Sequence, residues 1–169
     1  MEKQLFISIV ERYYPWISCL EKAAFQIHDD VNQKYDHVLP YGFHLKMVAS
    51  FVSRYGYLVA ESEADILVLY GSAYLHDTIE DARMTYNDIV KFIDDFRVGS
   101  LVLPEEIKRK LEEQVPEIVY ALTNEKGRNR KERANETYYK GIRDTRFASF
   151  IKMCDRLANI QYTMMFVFA

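Results

Sequence analysis

Apolar residues recur at intervals of three and four along almost the whole chain, the spacing of helices with one face turned inward. Residues 16–32 carry Ile17, Leu20, Ala24, Phe25 and Ile27 in this way. Residues 43–54 set Phe43, Met47 and Phe51 on one stripe with Val48 and Val52 beside it. Residues 62–76 are apolar on most faces, which predicts a central helix buried all round. Thr85 and Asp88 are spaced as a capping box opening a helix over 86–95, and Pro104 suits the first turn of another. Pro116 is expected to break or restart that helix, because an internal proline removes a hydrogen bond and crowds the preceding turn. A polar helix follows over 130–143, and 146–163 turns Phe147, Phe150, Ile151, Cys154, Leu157 and Ala158 inward. No strand pair is convincing, GSLVLP at 99–104 reads as a loop, and neither a repeat nor a low-complexity linker interrupts the pattern. The expectation is an all-α helical bundle forming one domain over 1–169.

Composition narrows the function. With 169 residues and 49% hydrophobic content, the chain can bury one substantial core. Its formal charge of -3 argues against a protein that lives by non-specific nucleic-acid binding, while leaving room for a local basic patch that serves a small anion. Cys19 and Cys154 are far apart and form no CxxC pair, so they point to reduced core thiols and not to a disulfide framework or a zinc knuckle. The opening MEKQLFISIVERYYPW has early charges and no apolar signal core, and no segment reaches the roughly 18 apolar residues of a membrane span. A cytoplasmic location with no membrane partner is expected.

One stretch breaks the apolar pattern. AYLHDTIED at 73–81 closes the central helix with His76, Asp77, Glu80 and Asp81, where burial of unpaired charge costs several kcal/mol. If the helix persists through residue 81, His76 faces Glu80 at i+4, and Asp77 faces Glu80 and Asp81 at i+3 and i+4. A divalent cation would remove the repulsion among these groups. Imidazole with carboxylate suits manganese, iron or zinc, and further ligands must then come from elsewhere. His44 in PYGFHLKMV and Asp155 in FIKMCDRLANI are polar residues on stretches otherwise built for the core, and are the candidates. His28-Asp29 is a second His-Asp dipeptide, but DVNQKYD follows it without a Glu-Asp pair; it reads as a helix cap or surface residue, as does His37 in YDHVLP.

In order, His44, His76-Asp77 and Asp155 resemble the H...HD...D signature of HD-superfamily metal-dependent phosphohydrolases. More narrowly, PYGFH is similar to PYxxHP, AYLHDTIED to ALLHDxxED and KMCDRLANI to KLADRLxN of the hydrolase domain in RelA/SpoT homologues and small alarmone hydrolases. The resemblance runs from about residue 20 to 163 and implies an HD-domain bundle. It further implies hydrolysis of the 3'-pyrophosphate of (p)ppGpp with one divalent ion, Mn2+ first and Fe2+ or Zn2+ as alternatives. His44, His76, Asp77 and Asp155 are then the metal ligands, and Glu80 orients or deprotonates the attacking water with Asp81 in support.

For the small anionic nucleotide, the resemblance points to Lys34 in the loop before His44, Lys126 in LTNEK, and Asn159 one turn after Asp155. The run KGRNRKER at 126–133 could draw in phosphates or simply be a solvated helix start; Arg143, Arg146 and Arg156 are weaker candidates. Leu45 stands where the family has proline after its first histidine, the stretch from Lys126 to Asp155 is long and charged, and the apolar end QYTMMFVFA must bury against the body or a partner, leaving a homo-oligomer open. A nucleotidase or nucleotide phosphatase on the same metal site, and a non-catalytic nucleotide sensor, are the alternative functions.

Overall fold

The computed structural model describes residues 1–124 and 129–166. Its elements are helices α1 (Lys3–Arg12), α2 (Tyr14–Asp30), α3 (Gly42–Tyr55), α4 (Glu63–Leu75), α5 (Thr78–Asp81), α6 (Tyr86–Asp95), α7 (Glu105–Leu122), α8 (Arg130–Arg133), α9 (Glu136–Asp144) and α10 (Ala148–Phe166), with a two-stranded hairpin β1 (Lys34–Tyr35) and β2 (Leu39–Pro40). The chain folds as an all-α helical bundle around one continuous hydrophobic core.

Helix α4 is the axis. Every residue from Ala64 to Leu75 is buried, and α1, α2, α3, α7 and α10 all pack against it. A helix apolar on all sides has no solvent face to set its start, so the N-terminus is fixed by a capping box: Ser62 accepts from the Asp65 amide, and Asp65 accepts from the Ser62 amide. Gly71 lets α7 come close, since a Cβ there would lie 3.0 Å from Val115 Cγ2. Thr85 and Asp88 form the capping box expected at the start of α6.

Three expectations are corrected. Pro116 neither breaks nor restarts α7, which runs unbroken from Glu105 to Leu122 with Pro116 buried inside it. The burial of Ile107, Leu111, Val115, Ile118 and Val119 along its inner face holds the helix together across the missing hydrogen bond. The polar segment 130–143 forms two helices, because Asn135 caps a new one through its side chain and the Tyr138 amide. YDHVLP, expected as a loop, closes a short antiparallel hairpin that pairs Lys34 with Pro40 and Tyr35 with Leu39, its turn made by Asp36 and His37 at positive φ. A pair of two-residue strands carries too little alternation to be legible in sequence. Among the described residues no helix is long and apolar enough to cross a membrane, and both cysteines are free.

Candidate metal centre

Three segments bring four residues together at one end of α4. His44 enters from the first turn of α3, His76 is the C-cap of α4, Asp77 follows it, and Asp155 comes from the middle of α10. The helix expected to continue to residue 81 is broken between His76 (φ -56°, ψ -32°) and Asp77 (φ -102°, ψ 4°), and α5 restarts as a separate turn. The continuous helix assumed through residue 81 is therefore interrupted after His76, while Asp77 keeps its i+4 relation to Asp81, whose amide donates to the Asp77 carbonyl at 2.8 Å. The break lets Asp77 aim its carboxylate back at both histidines while Glu80 moves out to solvent.

The convergence is tight. His44 Nε2 lies 3.3 Å from His76 Nε2, and Asp77 Oδ2 lies 2.9 Å from His76 Nε2 and 3.5 Å from His44 Nε2. These three ligand atoms all fall within 4.8 Å of one another. Asp155 joins through His44, its Oδ1 3.4 Å from Nε2. Both histidines are 2% exposed or less, so two imidazole nitrogens face each other where no water shell can soften the encounter.

The donor chemistry fits a divalent cation. His76 Nδ1 is 2.9 Å from the Ala73 carbonyl, a donation that leaves Nε2 with a free lone pair, the usual way in which a ligating imidazole is held. Without a cation, the site balances itself by a proton. Burial pulls the His44 pKa down, but the hydrogen bonds that its ring donates to Asp155 and Asp77, with the negative charge of both, outweigh it and push it up to about 9. Burial raises both carboxyls as well; His76 and His44 hold Asp77 well below the usual range, and His44, His76 and Lys152 hold Asp155 at about 2. Anionic carboxylates around an imidazole are a donor set that could hold a divalent cation in place of the proton. Nitrogen and oxygen donors without a thiolate suit Mn2+, Fe2+ or Zn2+. Comparison with protein-family models, with curated proteins and with solved structures found no match.

Second contacts lock the donors. Tyr41 O–H stands 2.6 Å from Asp77 Oδ2 and 2.6 Å from Asp81 Oδ2, one donor shared between two carboxylates. Its ring stacks on His28 at 4.3 Å, which corrects the reading of His28 as a cap or surface residue: α2 runs on to Asp30 and turns this imidazole fully inward. Neither His28 ring nitrogen has a hydrogen-bond partner among the described residues, and burial pushes its pKa down to about 4, so the ring acts as a neutral apolar plate behind Tyr41. His37 is exposed in the hairpin turn. Neither role was visible in sequence, although the tyrosine directly before the helix that carries His44 was the available signal. Tyr41→Phe is expected to fold, since the ring and its stack remain, and to bind Mn2+ about 10–100-fold more weakly by calorimetry, the usual cost of losing an outer partner. Unchanged affinity would reduce Tyr41 to packing.

A polar cavity of about 280 Å³ opens onto this centre, lined by Asp77, Glu80, Asp81, Asn124, Arg133, Ala134, Lys152, Asp155 and Arg156. Glu80 and Asp81 both line it. Asn124 Nδ2 donates to Glu80 at 2.7 and 2.9 Å, fixing an otherwise exposed carboxylate. Asp81 is raised by burial, which the Tyr41 hydroxyl only partly offsets.

The proposed substrate residues fare unevenly. Asn159 is close, but its amide is engaged at both ends, donating to Asp155 Oδ1 at 2.8 Å and accepting from Tyr35 O–H at 2.8 Å, so it braces Asp155. Lys34 is exposed on the hairpin and does not line this cavity. Lys126 and Arg128 lie outside the described residues. Arg143 pairs with Glu136, and Arg146 with Asp65 and Glu61, so both serve the scaffold. Lys152 was missed because a lysine one turn before Asp155 reads as a solvated helix position; it is instead drawn in to Asp155 Oδ2 at 3.0 Å.

Proposed function

We propose that the chain is an HD-type metal-dependent phosphohydrolase acting in the cytoplasm on a small anionic nucleotide, with removal of the 3'-pyrophosphate of (p)ppGpp as its reaction. The observation that carries this reading is the meeting of His44 Nε2, His76 Nε2 and Asp77 Oδ2 within 4.8 Å at the mouth of a polar cavity. His44, His76 and Asp77, with Asp155 beside them, would hold the ion. A bound divalent cation supplies Lewis acidity toward a phosphoryl oxygen and lowers the pKa of water nearby.

The chain's own groups do the rest. Glu80, held by Asn124 at the cavity wall, is placed to orient the attacking water and take its proton. Asp81 and Tyr41 keep Asp77 turned toward the histidines. A more apolar depression of about 310 Å³, lined by Arg156, Asn159, Ile160, Thr163 and Met164, shares Arg156 with the polar cavity. A polar chamber adjoining an apolar shelf suits a ligand with a phosphate end and a nucleoside end.

A second reading, a nucleotidase or nucleotide phosphatase on the same centre, draws support from Lys34, which stands outside the cavity although the resemblance expects it at the nucleotide. The Mn2+-loaded protein should therefore be given ppGpp, nucleoside monophosphates and NADPH, and its products separated. Pyrophosphate from ppGpp supports the first reading, orthophosphate the second, and no turnover of any of them defeats both.

A further inference from the structure

A larger depression of about 670 Å³ lies between α7 and α9. Glu117 and Tyr120 line it from α7 and Asn124 from just beyond that helix; Thr137 and Gly141 line it from α9 and Thr145 from the C-cap. None of the candidate metal ligands borders it, and among the described residues Asn124 alone is shared with the polar cavity. Tyr138 O–H donates to the Leu122 carbonyl at 3.2 Å and ties the two helices together. Gly141 is the position that packing does not explain. Glycine weakens a helix interior. At Gly71 the nearness of Val115 accounts for it, whereas a Cβ at 141 would meet nothing within 4 Å. The residue leaves bare backbone lining the depression, the kind of surface that a ligand can approach most closely.

The rest of the lining selects the chemistry of that ligand. Tyr120 is 62% exposed, a large ring left in water. It meets the Tyr86 ring edge to face with centroids 5.9 Å apart, and Tyr86 O–H donates to Glu117 Oε1 at 2.6 Å, so one residue holds both the ring and the carboxylate in place. Glu117 Oε2, Asn124 Oδ1 and the hydroxyls of Thr137 and Thr145 have no hydrogen-bond partner among the described residues. No lysine or arginine lines the depression, and Lys140 and Arg143 of α9 are engaged by Asp144 and Glu136. Acceptors beside an aromatic ring, without a cation, suit an uncharged planar ring that carries N–H donors and disfavour phosphate. We propose that this depression is a second binding site, separate from the metal centre, for a nucleobase whose edge presents two adjacent N–H donors, as that of guanine does. Glu117 has about four lone-pair positions on its two oxygens and can accept such a pair while keeping Tyr86. The volume falls within the roughly 300–1,000 Å³ of small-molecule sites and leaves room for a sugar.

The test is titration of guanosine and of adenosine into the full chain, with affinity read by equilibrium dialysis and location by backbone amide NMR shifts, in wild type, Gly141→Leu and Glu117→Gln. Leucine is a good helix former and position 141 has open space around it, so Gly141→Leu is expected to keep or raise the thermal midpoint while its side chain occupies the depression. Guanosine should shift amides of α7 and α9 and bind Gly141→Leu at least about 10-fold more weakly, by exclusion from the depression. Glu117→Gln should weaken guanosine by about 10-fold, the difference between a charge-assisted and a neutral hydrogen bond, and adenosine by less. If leucine disturbs α9, Tyr120→Ala at an exposed ring decides instead: weaker guanosine binding supports the site and unchanged binding overturns it. Absence of guanosine binding overturns it as well, as do shifts confined to α10 near Arg156 and Ile160 with an affinity that ignores Gly141→Leu. Binding at the depression that prefers neither nucleoside and is untouched by Glu117→Gln overturns the assignment to a donor edge. Because no candidate metal ligand borders the depression, each of these results leaves the phosphohydrolase reading where it stands.

Discussion

Asp77→Ala is expected to lose metal and activity together. Its carboxylate touches both histidines and Tyr41 at once, at 2.9, 3.5 and 2.6 Å, so truncation would remove a candidate ligand, leave the two imidazoles without the group that aligns them and leave the Tyr41 hydroxyl to Asp81 alone. Metal affinity should fall by more than the roughly 10–100-fold that loss of an outer partner costs. Two measurements check this: metal content after dialysis against Mn2+, and the thermal midpoint with and without added metal. Because a ligand that binds only the folded state stabilises it by about 2.7 kcal/mol at one hundred times its Kd, wild type should show a clear metal-dependent rise and the variant none. A variant that retains Mn2+ as wild type does would take Asp77 out of the ligand set.

Glu80→Gln should separate binding from chemistry. The substitution keeps the shape and an oxygen that can still accept from Asn124 Nδ2, but it removes the base. Turnover of ppGpp is expected to drop by about 10² or more while Mn2+ content stays as in wild type, because Glu80 belongs to the cavity wall and not to the converging ligand atoms. Equal kcat in the two proteins would end the assignment of Glu80 to proton transfer.

The parts of this molecule legible in sequence are those governed by periodic burial. The all-round apolar run of α4 and the stripes of α2, α3 and α10 could be read because each repeats one simple requirement over many residues. The candidate ligands were legible for the converse reason: His44, His76, Asp77 and Asp155 are polar groups where that requirement calls for apolar ones. What escaped depends on single tertiary contacts. Pro116 stays inside α7 because burial on both sides outweighs its local penalty. The inward turn of His28 follows from where α2 stops, and the pairing of Tyr41 with Asp77 and Asp81 follows from a hairpin too short to show alternation. Lys152 looked like a solvated cation, and Arg133 stayed open between a phosphate-drawing run and a solvated helix start, because nothing in local spacing reveals that α8 and α10 border the same chamber.

The discontinuity after His76 also divides the centre by tolerance to change. His76 ends the most deeply enclosed helix of the molecule, so any shift there must be propagated through packing that touches α1, α2, α3, α7 and α10. Glu80 rides on the single turn beyond the break, exposed and tied to the body by Asn124. Substitution of the exposed Glu80 on that turn would alter the cavity wall without disturbing the core, whereas substitutions at the buried Thr78 or before the break would not spare it. On the phosphohydrolase reading, a scaffold divided in this way could diversify what it does to a phosphate while the means of holding the ion stays unchanged.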